Sequence, residues 1–173
     1  MITISPIRGY RIPKSVSRVT YLTPDQETEM HKIVSPSFLN ALKVCVRTGA
    51  RFGCEFAILT ADHIRDHSDR IEWVYKPEES KTKKQRILRV MDADIIAIVR
   101  DQMKKHRVGP IFRSESGEPW TRAMLSQNFR RAKAKLKQQG IQLNQDACMY
   151  SCRHTYAKRT LEGYWSGNPE PGR

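Results

Sequence analysis

Arg51 and Arg153 define the chemistry open to this chain. Arg51 closes the segment Thr48-Gly49-Ala50-Arg51, and Arg153 sits within Met149-Tyr150-Ser151-Cys152-Arg153-His154-Thr155. A guanidinium group presents a fixed fork of donors that matches anionic oxygens, so two of them drawn from distant parts of a chain suggest a clamp on a phosphate. The plainer reading of Arg51 alone is a surface arginine paired with Glu55 at i+4, worth about 0.3–0.5 kcal/mol. Tyr150 and His154 flank Arg153. A phenol is able to donate a hydrogen bond to a phosphate, while His154 reads equally well as a residue that packs or hydrogen-bonds locally.

These side chains must be placed by the elements around them. Thr23-Pro24-Asp25 is a helix start, with Thr23 as N-cap and Pro24 at the first helical position. Ser35-Pro36 ends that helix, and a second runs from Pro36 to Thr48 with Phe38, Leu42, Cys45 and Val46 on one face before Gly49 stops it. Glu55 to Thr60 reads as a short apolar helix. The period then changes from helical to alternating. Residues 71–75 and 85–91 are expected to form two strands of a hairpin, joined by a loop with four lysines, Lys76, Lys81, Lys83 and Lys84. A helix over 92–105 turns Ile95, Ile96, Ile98 and Val99 inward. Residues 108–112 are extended, and 115–119 form a turn. The longest helix spans Trp120 to Gln139, with Leu125, Phe129, Ala132 and Leu136 on one stripe and no acid from Thr121 to Gln139. A last helix covers Tyr150 to Leu161, and 163–173 read as a frayed tail. Residues 1–20 show no apolar period and read as a basic arm or interdomain linker ahead of a domain over 21–173. The expected class is mainly α with a small antiparallel β-sheet.

Composition narrows the partner. The chain has 173 residues, with 31 Lys plus Arg against 18 Asp plus Glu, for a net charge of +13. A protein this basic usually meets an anionic polymer or surface. No apolar run approaches the roughly 20 residues of a membrane span, and the N-terminus lacks the layout of a signal peptide. These features point to a cytoplasmic, nucleoid-associated protein. Cys45, Cys54, Cys148 and Cys152 fit a reducing compartment as ordinary small core residues. Cys148, Cys152 and His154 match no usual zinc spacing and have no evident fourth ligand. No metal, cofactor or small-molecule substrate is expected.

In order along the chain, these segments resemble the catalytic domain of the tyrosine recombinases, the phage integrase family. Thr48-Gly49-Ala50-Arg51, then Glu55 and the apolar stretch to Ile64, resembles the family's first arginine box, although the acid here falls four residues after the arginine rather than three. Ser80-Lys81-Thr82 before a strand resembles the β-hairpin lysine, with Lys83 and Lys84 as neighbouring candidates. Tyr150-Ser151-Cys152-Arg153-His154-Thr155 resembles the second box, with Tyr150 in place of the usual histidine. The resemblance covers about Leu22 to Trp165. It implies double-stranded DNA as the partner and a role in site-specific DNA recombination or integration, with assembly into a homo-oligomer on DNA once completed. Arg51 and Arg153 would hold the phosphate. Lys81 would protonate the departing 5′ oxygen, a role that suits a lysine because it carries a transferable proton. The family's tyrosine nucleophile lies well past the second box, whereas only Tyr156 and Tyr164 follow Arg153 here. The resemblance therefore implies a fragment truncated before its nucleophile and inactive by itself. The alternative is a non-catalytic, basic nucleic-acid-binding protein.

Overall fold

The computed structural model describes residues 19–80 and 83–166. Helix α1 spans Pro24–Ile33 and α2 spans Pro36–Thr48. Thr23 caps α1 reciprocally with Gln26, and Gly49 closes α2 in the left-handed region at φ 64°. Strands β1 (Ile64–Asp66), β2 (Ile71–Tyr75) and β3 (Arg86–Val90) form an antiparallel sheet in the order β1-β2-β3. Trp73 faces Ile64 on one side and Leu88 on the other. Helix α3 (Ala93–Lys105) starts on an Asp92 cap, α4 (Arg122–Gln138) starts on a Thr121 cap, and α5 (Ser151–Leu161) closes the fold against α2. The mainly helical class with a small antiparallel sheet is as expected from sequence.

The core lies between α2, the inner sheet face, α4 and α5. Phe38, Phe56, Trp73, Tyr75, Phe112 and Phe129 are almost wholly buried in it. Phe56 stacks on Phe112 at 4.3 Å between centroids. All four residues of the expected α4 stripe are buried. Trp120 precedes the helix rather than opening it, and packs against Phe38 instead.

The structure corrects four local expectations. The helix expected over 55–60 is a π-turn over Phe52–Phe56, with the Ala57 N–H bonded to the Phe52 carbonyl. Burying Phe52, Glu55 and Phe56 together requires this wider turn, and Leu59 then leaves helical geometry to accept from the Ile111 N–H. Strand β1 was not expected: its three residues carry no alternation of their own and are held by pairing with β2. Cys54 and Cys148 are exposed, on the outer side of the π-turn and in the turn before α5, while Cys45 and Cys152 are buried. Tyr164–Ser166 form a 3-10 turn whose rings pack on α5, rather than a frayed end. Of the expected basic arm only Val19 and Thr20 are described, and Thr20 is buried with its hydroxyl 2.5 Å from Ser151 Oγ.

A helical turn at Pro77–Glu79 carries the chain out of β2. Glu79 accepts from His63 Nε2 at 2.9 Å and from the Lys76 N–H at 2.8 Å. The Thr60 N–H, which only donates, lies 3.0 Å from His63 Nδ1, so the ring proton sits on Nε2. The His63 hydrogen bond, followed by the backbone one, holds the Glu79 carboxyl below the usual glutamate range. A depressed carboxylate pKa adds stability above the unfolded value of about 4.3 and loses it as pH falls through the lower folded value. Urea midpoints measured from about pH 6 down to about pH 3 should therefore separate the wild type from Glu79→Gln at the upper end and converge at the lower end. A constant gap across that range would contradict the assignment.

Candidate phosphate-binding cleft

The left-handed turn at Gly49 is the pivot of the site. It turns the chain sharply out of α2, so Ala50 is buried and Arg51 emerges at the mouth of the π-turn. No other residue is tolerated well there, because the backbone is in the left-handed region and the Tyr156 ring lies directly over the glycine, with Cε1 and Cγ 3.0 Å from where a Cβ would stand. From the other end of the fold, Arg153 Nη1 donates to the Gly49 carbonyl oxygen. The two predicted arginines thus flank one turn: Arg153 anchors on Gly49, two residues before Arg51, whose own guanidinium is held by Glu55.

Glu55 organises the floor. It is 3% exposed. Its carboxylate accepts from the Arg51 backbone N–H at 2.7 Å and from Arg51 Nη1 at 3.3 Å. It also forms an ion pair with Arg86 at 2.5 Å from Nε, a close charge contact rather than an aligned hydrogen bond. The π-turn supplies the extra residue that separates Glu55 from Arg51, and still returns the acid to it. Tyr75 completes the surroundings by donating to the Glu55 carbonyl at 2.9 Å, and burial pushes its phenol well above the ordinary range.

Arg86 is the residue that sequence reasoning missed. A readable signal existed: on an alternating strand Arg86 shares its face with Leu88 and Val90, both buried. A cation on a core-facing position calls for a buried acid, and Glu55 is that acid. Beyond Arg86, a cleft of about 500 Å³ opens between β3 and α5, with Arg86, Arg89, Arg153, Thr48, Tyr156 and Thr160 among its lining residues. Arg89 is drawn outward to Glu72 at 3.2 Å.

The remaining predicted residues do not converge there. His154 turns to the opposite flank of α5, into a separate groove with Tyr21 and Lys158. It meets Tyr150 edge to face at 5.1 Å and Tyr21 at 6.5 Å, and its Nδ1 is buried without a partner among the described residues. Tyr150 is half-exposed beside it. Lys81 lies outside the described residues. Tyr156 packs over Gly49 and against Trp165, and Tyr164 lies over the Arg159 guanidinium at 5.0 Å. Among the described residues no group of His, Cys, Asp or Glu is arranged to hold a metal ion, and no described helix is long and apolar enough to cross a membrane.

No family model matches the chain, and no curated protein sequence does. Solved structures do match its fold. A lambda integrase dimer bound to a COC′ core site superposes with a TM-score of 0.68 at 19% identity, over 99% of this chain and 50% of the other. The Tn1549 transposon integrase in complex with circular intermediate DNA gives 0.64 at 17% identity, over 91% and 57%. The XerH site-specific recombinase bound to difH gives 0.61 at 16% identity, over 92% and 47%. The chain thus spans about half the length of these structures. All three are tyrosine recombinases. The fold of this chain is the catalytic-domain fold of the tyrosine recombinases.

Proposed function

We propose that this chain is a DNA-binding recombinase domain whose cleft between β3 and α5 grips a phosphodiester of double-stranded DNA. The observation that carries the reading is the docking of Arg153 on the Gly49 turn that leads into Arg51, across a separation of 104 residues between Gly49 and Arg153. Two guanidinium groups held by Glu55 and by the Gly49 carbonyl keep further N–H donors for nonbridging oxygens, where charge builds during transesterification at phosphorus. Glu55 orients Arg51, and Arg86 balances the acid. The reading gives Lys81 the general-acid role in strand cleavage, and leaves Tyr150 and His154, on the other flank of α5, outside the clamp. Tyr156 is committed to packing, so the site as described binds and polarises a phosphate. Domain limits of 21–173, with 1–20 as a linker, and assembly on DNA as a homo-oligomer fit the same reading.

The test separates geometry from charge. The Arg51→Lys/Arg153→Lys double variant keeps every positive charge and loses both forks. Binding to a fluorescent four-way DNA junction should weaken about tenfold or more, given roughly 1.5–3 kcal/mol for hydrogen bonds to charged groups. The double variant should melt close to the wild type. Unchanged junction affinity would remove the clamp and favour a basic nucleic-acid-binding protein that reads only phosphate charge.

A further inference from the structure

We infer that one flank of α4 is a second phosphate-tracking surface, separate from the cleft. Most described arginines outside α4 are in ion pairs: Arg47 with Asp92 and Asp94, Arg51 and Arg86 with Glu55, Arg70 and Arg89 with Glu72, Arg100 with Asp66, and Arg159 with Glu27. Helix α4 is different. It carries Arg122, Arg130, Arg131, Lys133, Lys135 and Lys137 and no acid. None of these six is in an ion pair among the described residues.

Three of them share one flank. Arg130, Lys133 and Lys137 border a groove of about 430 Å³ between α4 and the loop that follows it, with the neutral amides of Gln142 and Gln145 on the far wall. Lys133 builds that wall, donating to the carbonyls of Gln145 at 2.6 Å and Ala147 at 3.4 Å. Arg130 and Lys137 remain exposed at the two ends. Seven residues of α-helix separate them by about 10.5 Å, which matches about three nucleotide rises of about 3.4 Å along one strand. Amide side chains between the two cations add donors that suit phosphate oxygens without adding charge. Unneutralised cations at that spacing, in a groove with no acid among its lining residues, fit the DNA backbone. The inference takes the identity of the polymer from the function proposed above, but not the cleft.

Salt dependence tests it on the whole chain. Each phosphate contact contributes about 0.9 to the slope of log K against log salt on duplex DNA. Arg130→Gln/Lys137→Gln should lower that slope by about 1.8, measured with an arbitrary-sequence duplex between about 50 and 200 mM salt. Lys104→Gln/Arg107→Gln removes the same charge from exposed positions near the end of α3, and should leave the slope unaltered. Equal changes in the two variants, no change in the first, or no duplex binding by the wild type would each overturn the inference. The two proposals fail separately: a lowered slope with unchanged junction binding by Arg51→Lys/Arg153→Lys keeps the α4 surface and removes the clamp. The reverse pattern keeps the clamp and removes the surface.

Discussion

Replacing Glu55 with alanine should cost about 3 kcal/mol of folding stability. The side chain is 3% exposed and carries three contacts: the Arg51 N–H, the Arg51 guanidinium and Arg86. Truncation leaves a partly buried N–H without its acceptor and two arginines without their acid. Removing one member of a fully buried pair costs about 3–5 kcal/mol. The Arg51 and Arg86 side chains keep 25% and 31% of their exposure, so water softens the loss toward the lower end. For a domain of this size that corresponds to a fall of roughly 6–12 °C in Tm. Glu55→Gln keeps the shape and an acceptor for the Arg51 N–H, and should cost about 1–2 kcal/mol. Thermal and urea unfolding of both variants measure this. A Glu55→Ala loss below about 1 kcal/mol would mean that the carboxylate is not the organiser of the site.

The second large effect is at Gly49. A non-glycine residue in the left-handed region costs roughly 1–2 kcal/mol, and a methyl group there also runs into the Tyr156 ring. Gly49→Ala should therefore cost about 3 kcal/mol in an otherwise native chain. In a Tyr156→Ala background the ring is gone and only the backbone term remains, so the same change should cost about 1–2 kcal/mol. The difference between the two backgrounds is the measurable contact. Equal costs in both would show that the ring does not press on the glycine. Because the Gly49 carbonyl receives Arg153, the single variant should also weaken junction binding.

The parts of the fold that were legible in the sequence are those set by neighbours along the chain. Thr23 with Pro24, Gly49, and the Leu125-Phe129-Ala132-Leu136 stripe each state a local rule that the structure obeys. The hairpin of β2 and β3 was equally plain, with β3 alternating in burial and the central β2 buried at four of its five residues. What was missed depends on contacts across the fold. Strand β1 exists because β2 offers it an edge. The π-turn exists because Phe52 and Phe56 reach the core while Glu55 returns to Arg51. Periodicity carries no record of either demand. The separation of Arg153 from His154 is similar: adjacent residues on a helix point about 100° apart, and only the docking of α5 against α2 shows which of them meets the Gly49 turn. Arg86 lay between these cases, legible as an anomaly on its strand but without a partner until the fold brought Glu55 beneath it.

The meeting of Arg153 with the Gly49 carbonyl also makes the site a closure. One wall of the cleft is built from β3 and the end of α2, and the other arrives only when α5, the last long helix among the described residues, docks on α2. An anion held between those walls would span the junction as a removable crosslink, bound only by the closed form. Any such ligand stabilises that form by mass action, by about 2.7 kcal/mol at a hundredfold excess over its dissociation constant. DNA bound in the cleft as proposed would then also keep α5 in place.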